Sequence, residues 1–205
     1  MFSIENRTPS LSRQDLVAVL GLLCALLISS LAGFGADCDA LRGHTVRLHI
    51  LANSDAAADQ ALKLQVRDRI LQETAGAFAQ PQTRQAALAT AQAQLPAIRR
   101  AAEQVLAQAG VDQPVQASLE RTYFTTRQYG DLLLPAGVYD AVQVTIGEGA
   151  GHNWWCVLYP PLCVPAAAAQ DAPAFQQLQQ LNRQPHFKPK LAVVELVEDL
   201  LQRAG

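Results

Sequence analysis

The chain has 205 residues, 50% of them hydrophobic and 17% charged, with a formal net charge of −2. That suits one globular domain with a sizeable core, plus a segment that raises the apolar fraction. Lys and Arg are scattered singly, so there is no basic stripe to neutralise a run of phosphates, and nothing points to nucleic-acid binding.

The apolar segment is "LVAVLGLLCALLISSLAGF", Leu16 to Phe34, about 19 residues without a charge and long enough to cross a bilayer. Arg7 and Arg13 precede it, offset by Glu5 and Asp15, a thin positive-inside bias that leaves residues 1–15 in the cytoplasm and exports the rest of the chain. Two readings stand. One is a signal peptide cut behind Ala32, with Ser30 and Ala32 as its small exit residues; the other is an uncleaved transmembrane anchor, which the length suits. Cys38 is preceded by Asp37 and Cys24 lies mid-span, so neither sits in a lipobox. Residues 35–44 are expected to be a linker.

The exported core is expected over residues 45–165. "HTVRLHILAN" (44–53) alternates as a strand, with Val46, Leu48 and Ile50 on one face and Arg47 and His49 on the other. Ser54 or Asp55 is expected to cap the next helix, "AAADQALKLQVRDRILQETAGAFAQ". Leu62, Val66 and Ile70 recur there at helical spacing, Leu64 widens the face, and Asp59 is placed for a surface pair with Lys63. A second, Ala- and Gln-rich helix is expected from about Thr83 to Ala109, with Pro96 kinking or splitting it. "VQASLERTYF" (115–124) reads as a strand. "YGDLLLPAGVYDAVQVTIG" reads as a hairpin turning over Pro135, Ala136 and Gly137, and "NWWCVLYP" as a further strand. Residues 166–205 are expected to form a loop and a closing helix with Leu191, Val194, Val197 and Leu201 on its apolar stripe. The order of elements argues an α+β two-layer sandwich, a mainly antiparallel sheet with packed helices, preceded by one N-terminal membrane segment.

The chemistry-bearing residues cluster in "GEGAGHNWWCVLYPPLC" (147–163). A cysteine hydrolase would use Cys156 with His152 or His49 and an orienting Asp55 or Glu148, but Cys156 lies in an apolar run with no helix N-terminus behind it to lower its pKa. A zinc site lacks paired Cys or His ligands at the usual spacing. The Gly-rich turn has no Lys-Ser/Thr to hold a phosphate and reads as a hairpin loop between two strands. A disulfide remains. Three exported cysteines allow three pairings; Cys156 with Cys163 across "VLYPPL" is favoured, leaving Cys38 as a thiol or an intermolecular partner. Aromatic Trp154 and Trp155 beside such a staple have the composition of a binding anchor.

"VRLHILANSDAAADQALKLQVRD" (46–68) and "YGDLLLPAGVYDAVQVTIGEGAGHNWWCVLYPPLC" (129–163) closely resemble the stage II sporulation protein R family of endospore-forming bacteria, over roughly residues 45–165. The resemblance implies a signalling role without catalysis, cofactor or small-molecule substrate. It implies export from the forespore into the space between two membranes and, as partner, a membrane-embedded aspartic protease of the mother cell that processes a pro-sigma factor. On that reading two surfaces are expected to touch the receptor: the rim of Asn53, Ser54, Asp55 and Asp59, which helix capping alone would also explain, and the Asn153, Trp154, Trp155 turn. The rival is an exported hydrolase of cell-wall or peptide substrate using Cys156 or a His–carboxylate pair.

Overall fold

A computed structural model describes residues 12–79, 83–129 and 132–160, together with Leu162, Gln176, Gln179, Gln180, Asn182, Arg183, Val193 and Leu196. The expected closing stripe at Leu191, Val194, Val197 and Leu201 lies outside the described residues, as does Cys163.

Helix α1 runs Arg13–Gly43, opened by a capping box in which Ser12 and Asp15 satisfy each other's backbone amides. By length and composition it can cross a membrane. It does not stop where the apolar run stops. The stretch expected as a linker continues the helix and places Phe34, Cys38 and Leu41, at i, i+4 and i+7, on one buried stripe.

The chain then turns through His44 and Thr45 into β1 (Val46–Leu51). Helices α2 (Ala57–Phe78) and α3 (Arg84–Gln108) come next, then β2 (Val115–Phe124), β3 (Arg127–Tyr129), β4 (Leu132–Leu134), β5 (Gly137–Ile146) and β6 (Asn153–Tyr159). The main sheet has the order β2-β5-β1-β6. It is mixed: β2 with β5 and β1 with β6 are antiparallel, while β1 and β5 are parallel, with Val46 opposite Asp140 and Leu51 opposite Thr145. The α+β class therefore stands, with one parallel pair at the centre.

Two expectations fail on topology. The 132–146 hairpin does not form, because β4 pairs with β3 in a separate small sheet and both edges of β5 are taken by β1 and β2. Likewise, the Gly-rich loop is not a hairpin turn: β5 and β6 lie on either side of β1, so the loop between them must cross the end of β1.

Both faces of the sheet are covered. On the front, Val46, Leu48 and Ile50 meet Leu62, Val66 and Ile70 of α2 and Ile98, Ala102 and Leu106 of α3. Pro96 removes one helical hydrogen bond, yet α3 runs unbroken across it. On the back, Phe34, Cys38 and Leu41 close over Phe124, Leu134, Tyr139, Ala141 and Val157. Arg47, on this back face, is 0% exposed. Its guanidinium lies 4.2 Å from the centroid of Phe124, 4.9 Å from Tyr139 and 5.5 Å from Tyr129. Nε donates to Cys156 O at 3.0 Å and an Nη to Tyr129 Oη at 2.7 Å. Burial pulls its pKa down and pushes the Tyr129 and Tyr139 hydroxyls up.

Candidate functional site

The crossing of β1 by the 147–152 loop brings the two expected contact surfaces together as one corner. Asn53, just past β1, accepts the Glu148 amide on Oδ1 at 3.1 Å, and its own carbonyl accepts the Ala150 amide at 3.1 Å. Gly151 N donates to Ala52 O at 3.0 Å. Asp55 Oδ1 accepts the His152 amide at 2.6 Å and also meets His152 Nδ1. Each loop amide that would otherwise lack a partner as the chain passes over the strand end is thereby satisfied.

Glycines make the close crossing possible. Gly147 has φ +57, a left-handed conformation, and a Cβ there would run into the Asn53 side chain. At Gly151 a Cβ would collide with the Ser54 carbonyl.

Ser54 and Asp55 do not cap α2. Its N-cap is Ala56, with no side-chain cap bond. Instead Asp59 Oδ2 accepts Asn53 Nδ2 at 2.8 Å and Ser54 Oγ at 2.6 Å, and Gln60 Nε2 donates to Ser54 O at 2.8 Å. Nor do Asp59 and Lys63 form the expected surface pair. Lys63 is 5% exposed, and its Nζ donates to Gln60 Oε1 at 2.6 Å and to His152 O at 2.7 Å. The lysine thus bolts α2 to the loop from inside. Hydrogen bonds to His152 hold the Asp55 carboxyl below its ordinary range, and bonds from Ser54 and then Asn53 do the same for Asp59. Burial lowers the Lys63 pKa, against the pull of Asp55.

Trp154 and Trp155 are not on a turn. They open strand β6, half-buried, and successive strand residues face opposite sides of the sheet. Trp154 packs against the front core with Arg67 of α2 5.3 Å over its ring. Trp155 stacks on His49 at 3.8 Å on the back, edge-on to Phe124 at 4.6 Å, with Arg127 5.8 Å over it. One exposed group, Asn153, sits between the Trp pair and the loop.

His49 is 4% exposed, and burial depresses its pKa, outweighing the hydrogen bonds it makes to Asn153 and Gln143, which favour the protonated ring. The folded state therefore binds the proton less readily than the unfolded chain. The stability this contributes is present above the unfolded value of about 6.5 and is lost as pH falls from there through the folded pKa. Urea titrations from pH 7 to pH 5 are expected to show falling stability, and His49→Phe, which keeps the stack on Trp155, is expected to flatten that slope.

Cys156 is disulfide-bonded, which removes it as a nucleophile; Cys24 and Cys38 are not in disulfides. Among the described residues no group of three His, Cys, Asp or Glu side chains is gathered to hold a metal. His152 and Asp55 are a His–carboxylate pair, as the hydrolase reading requires, but the pair's bonds hold the loop in place. Buried Lys63 and half-buried Gln60, which organise the corner, were not legible in the sequence as site residues. A lysine within the apolar stripe of α2, next to Leu62 and four residues before Arg67, was the available signal.

A short α+β domain with a polar corner knitted from two distant segments follows a helix long and apolar enough for a signal peptide or a membrane anchor. The chain belongs to the stage II sporulation protein R family, which matches residues 42–169 and so takes in the whole corner. It is 38% identical over 118 residues to stage II sporulation protein R of Bacillus subtilis (strain 168), covering 58% of this chain and 53% of the relative. The chain thus spans about half the length of the curated relative it matches. No solved structure matches. Membership places the chain in sporulation.

Proposed function

We propose that this protein is an exported sporulation signal that activates a membrane-embedded aspartic protease of the mother cell, which then processes a pro-sigma factor across the septum. The corner is the surface that meets the receptor. One observation carries the reading: the Asn53–Asp59 junction and the Glu148–Asn153 loop are locked into a single rigid unit by Asn53, Asp55 and Lys63. Such a unit loses little conformational entropy on binding, which suits a ligand. The oxidised Cys156 points the same way, since it leaves no thiolate for attack. The ligand acts by binding the protease's active state better than its resting state. Cys163 is the proposed disulfide partner of Cys156, and export carries the domain to an oxidising compartment.

A photo-crosslinking side chain placed at exposed Asn153 is expected to capture the protease, and the same group at exposed Arg121, on the edge strand β2, is not. Equal capture at both positions, or none at Asn153, overturns the corner as contact surface.

A further inference from the structure

We propose that when α1 spans a bilayer, the corner stands at the headgroup surface of that same bilayer. The proposal goes beyond the signalling role; it rests on α1 as a membrane helix and not on the protease.

The charge-free run of α1 ends at Phe34, and Asp37 is the first charge after it. From Phe34 to Gly43 the helix descends about 14 Å away from the membrane at its ordinary rise. This part is no free stalk. Phe34, Cys38 and Leu41 lie in the back-face core, and Arg42 Nε donates to Ala136 O at 2.8 Å, at the foot of β5. Only His44 and Thr45 separate α1 from β1, and Thr45 Oγ1 bonds back to Leu41 O at 2.7 Å. A helix packed on the sheet and joined this tightly to its strand forces the strand to run back along it. The six residues of β1 climb about 17 Å at the rise of a strand.

The end of β1 therefore returns to the level of Phe34, where the bilayer begins. That end carries Asn53, the Glu148–His152 loop and the start of β6. Trp155, opposite His49, packs against the same core as Phe34. The foot of the sheet, where the α1–β1 turn at His44 meets the start of β5, is at the other end of the strands.

The chemistry of the corner fits an interfacial position. Trp is favoured at headgroup level, and Arg127, over Trp155, is able to pair with lipid phosphate, while Arg67, over Trp154, pairs with Asp68. The exposed carboxylates of Asp55 and Glu148 keep the corner out of the hydrocarbon. A receptor in the same bilayer meets the corner directly; one in a facing bilayer meets it once α1 is cut behind Ala32.

Trp154 and Trp155 are the chain's two tryptophans, so indole emission reports on the corner alone. The full chain would be reconstituted in phosphatidylethanolamine–phosphatidylglycerol vesicles with and without a nitroxide on the lipid headgroups. The nitroxide is expected to roughly halve the emission of the wild-type chain. A reporter at the foot, exposed His44→Trp in the Trp154→Phe, Trp155→Phe chain, is expected to keep its emission. Quenching at the foot equal to or greater than at the corner, or no quenching of the native pair, overturns the proposal. None of these readings involves the protease, so the two proposals fail separately.

Discussion

Arg47→Ala is expected to destabilise the domain by about 4 kcal/mol, a large part of the 5–15 kcal/mol that holds a domain of this kind together. Three losses add. Truncation leaves a cavity between Phe124, Tyr129 and Tyr139, removes a cation from the faces of those rings, and strips partners from Cys156 O and Tyr129 Oη. Arg47→Met separates the causes. It keeps most of the volume and removes a charge that was expensive to bury, so it is expected to cost only about 1 kcal/mol. Urea unfolding of both variants in detergent micelles checks this. Equal large losses would show that the charge, and not the packing, holds the back face together.

Gly151→Ala is expected to break the corner while leaving the sheet folded. The new methyl meets the backbone carbonyl of Ser54, which cannot swing aside as a side-chain tip can, so the loop must lift. Lifting it removes the Gly151–Ala52 bond and draws His152 away from both Asp55 and Lys63. The stability cost is expected to be about 1–3 kcal/mol, as for other overpacked sites. The effect on signalling is expected to be larger, at least about tenfold, because a lifted loop must be re-ordered at the moment of binding. Amide exchange at Ala150, Gly151 and His152 is expected to quicken while exchange in β1 and β5 stays slow. Gly76→Ala, in open space within α2, serves as the control and is expected to be neutral or slightly stabilising.

The elements were readable where a local pattern determines them. Alternation in "VQASLERTYF" gave β2 with its bounds, and the spacing of Leu62, Val66 and Ile70 gave the buried face of α2. Pairing was not readable, because alternation says nothing about which strand lies alongside. The stretch after Leu134 looked like a hairpin since neighbours in sequence often pair, yet β5 was claimed by β1 and β2 from elsewhere in the chain. The joining of the two segments into one corner was not readable for the same reason. Asn53, Ser54 and Asp55 are cap-type residues ahead of a helix, and the nearest explanation was the cap; Ser54 instead bonds Asp59, and Asn53 and Asp55 hold loop amides 95 and 97 residues further on. Arg47 ran against the usual exposure of charged side chains. Its burial needs three rings from β2, β3 and β5 and the end of α1, none adjacent to it in the sequence.

The proposed role of this protein is to switch on a membrane protease. The most direct measurement co-expresses the full chain with the cognate membrane-embedded aspartic protease and its pro-sigma substrate in a non-sporulating host, and tracks removal of the pro-sequence. Processing is predicted to require the chain and to be lost with Gly151→Ala at an equal protein level. Processing that proceeds equally with and without the chain would contradict the account.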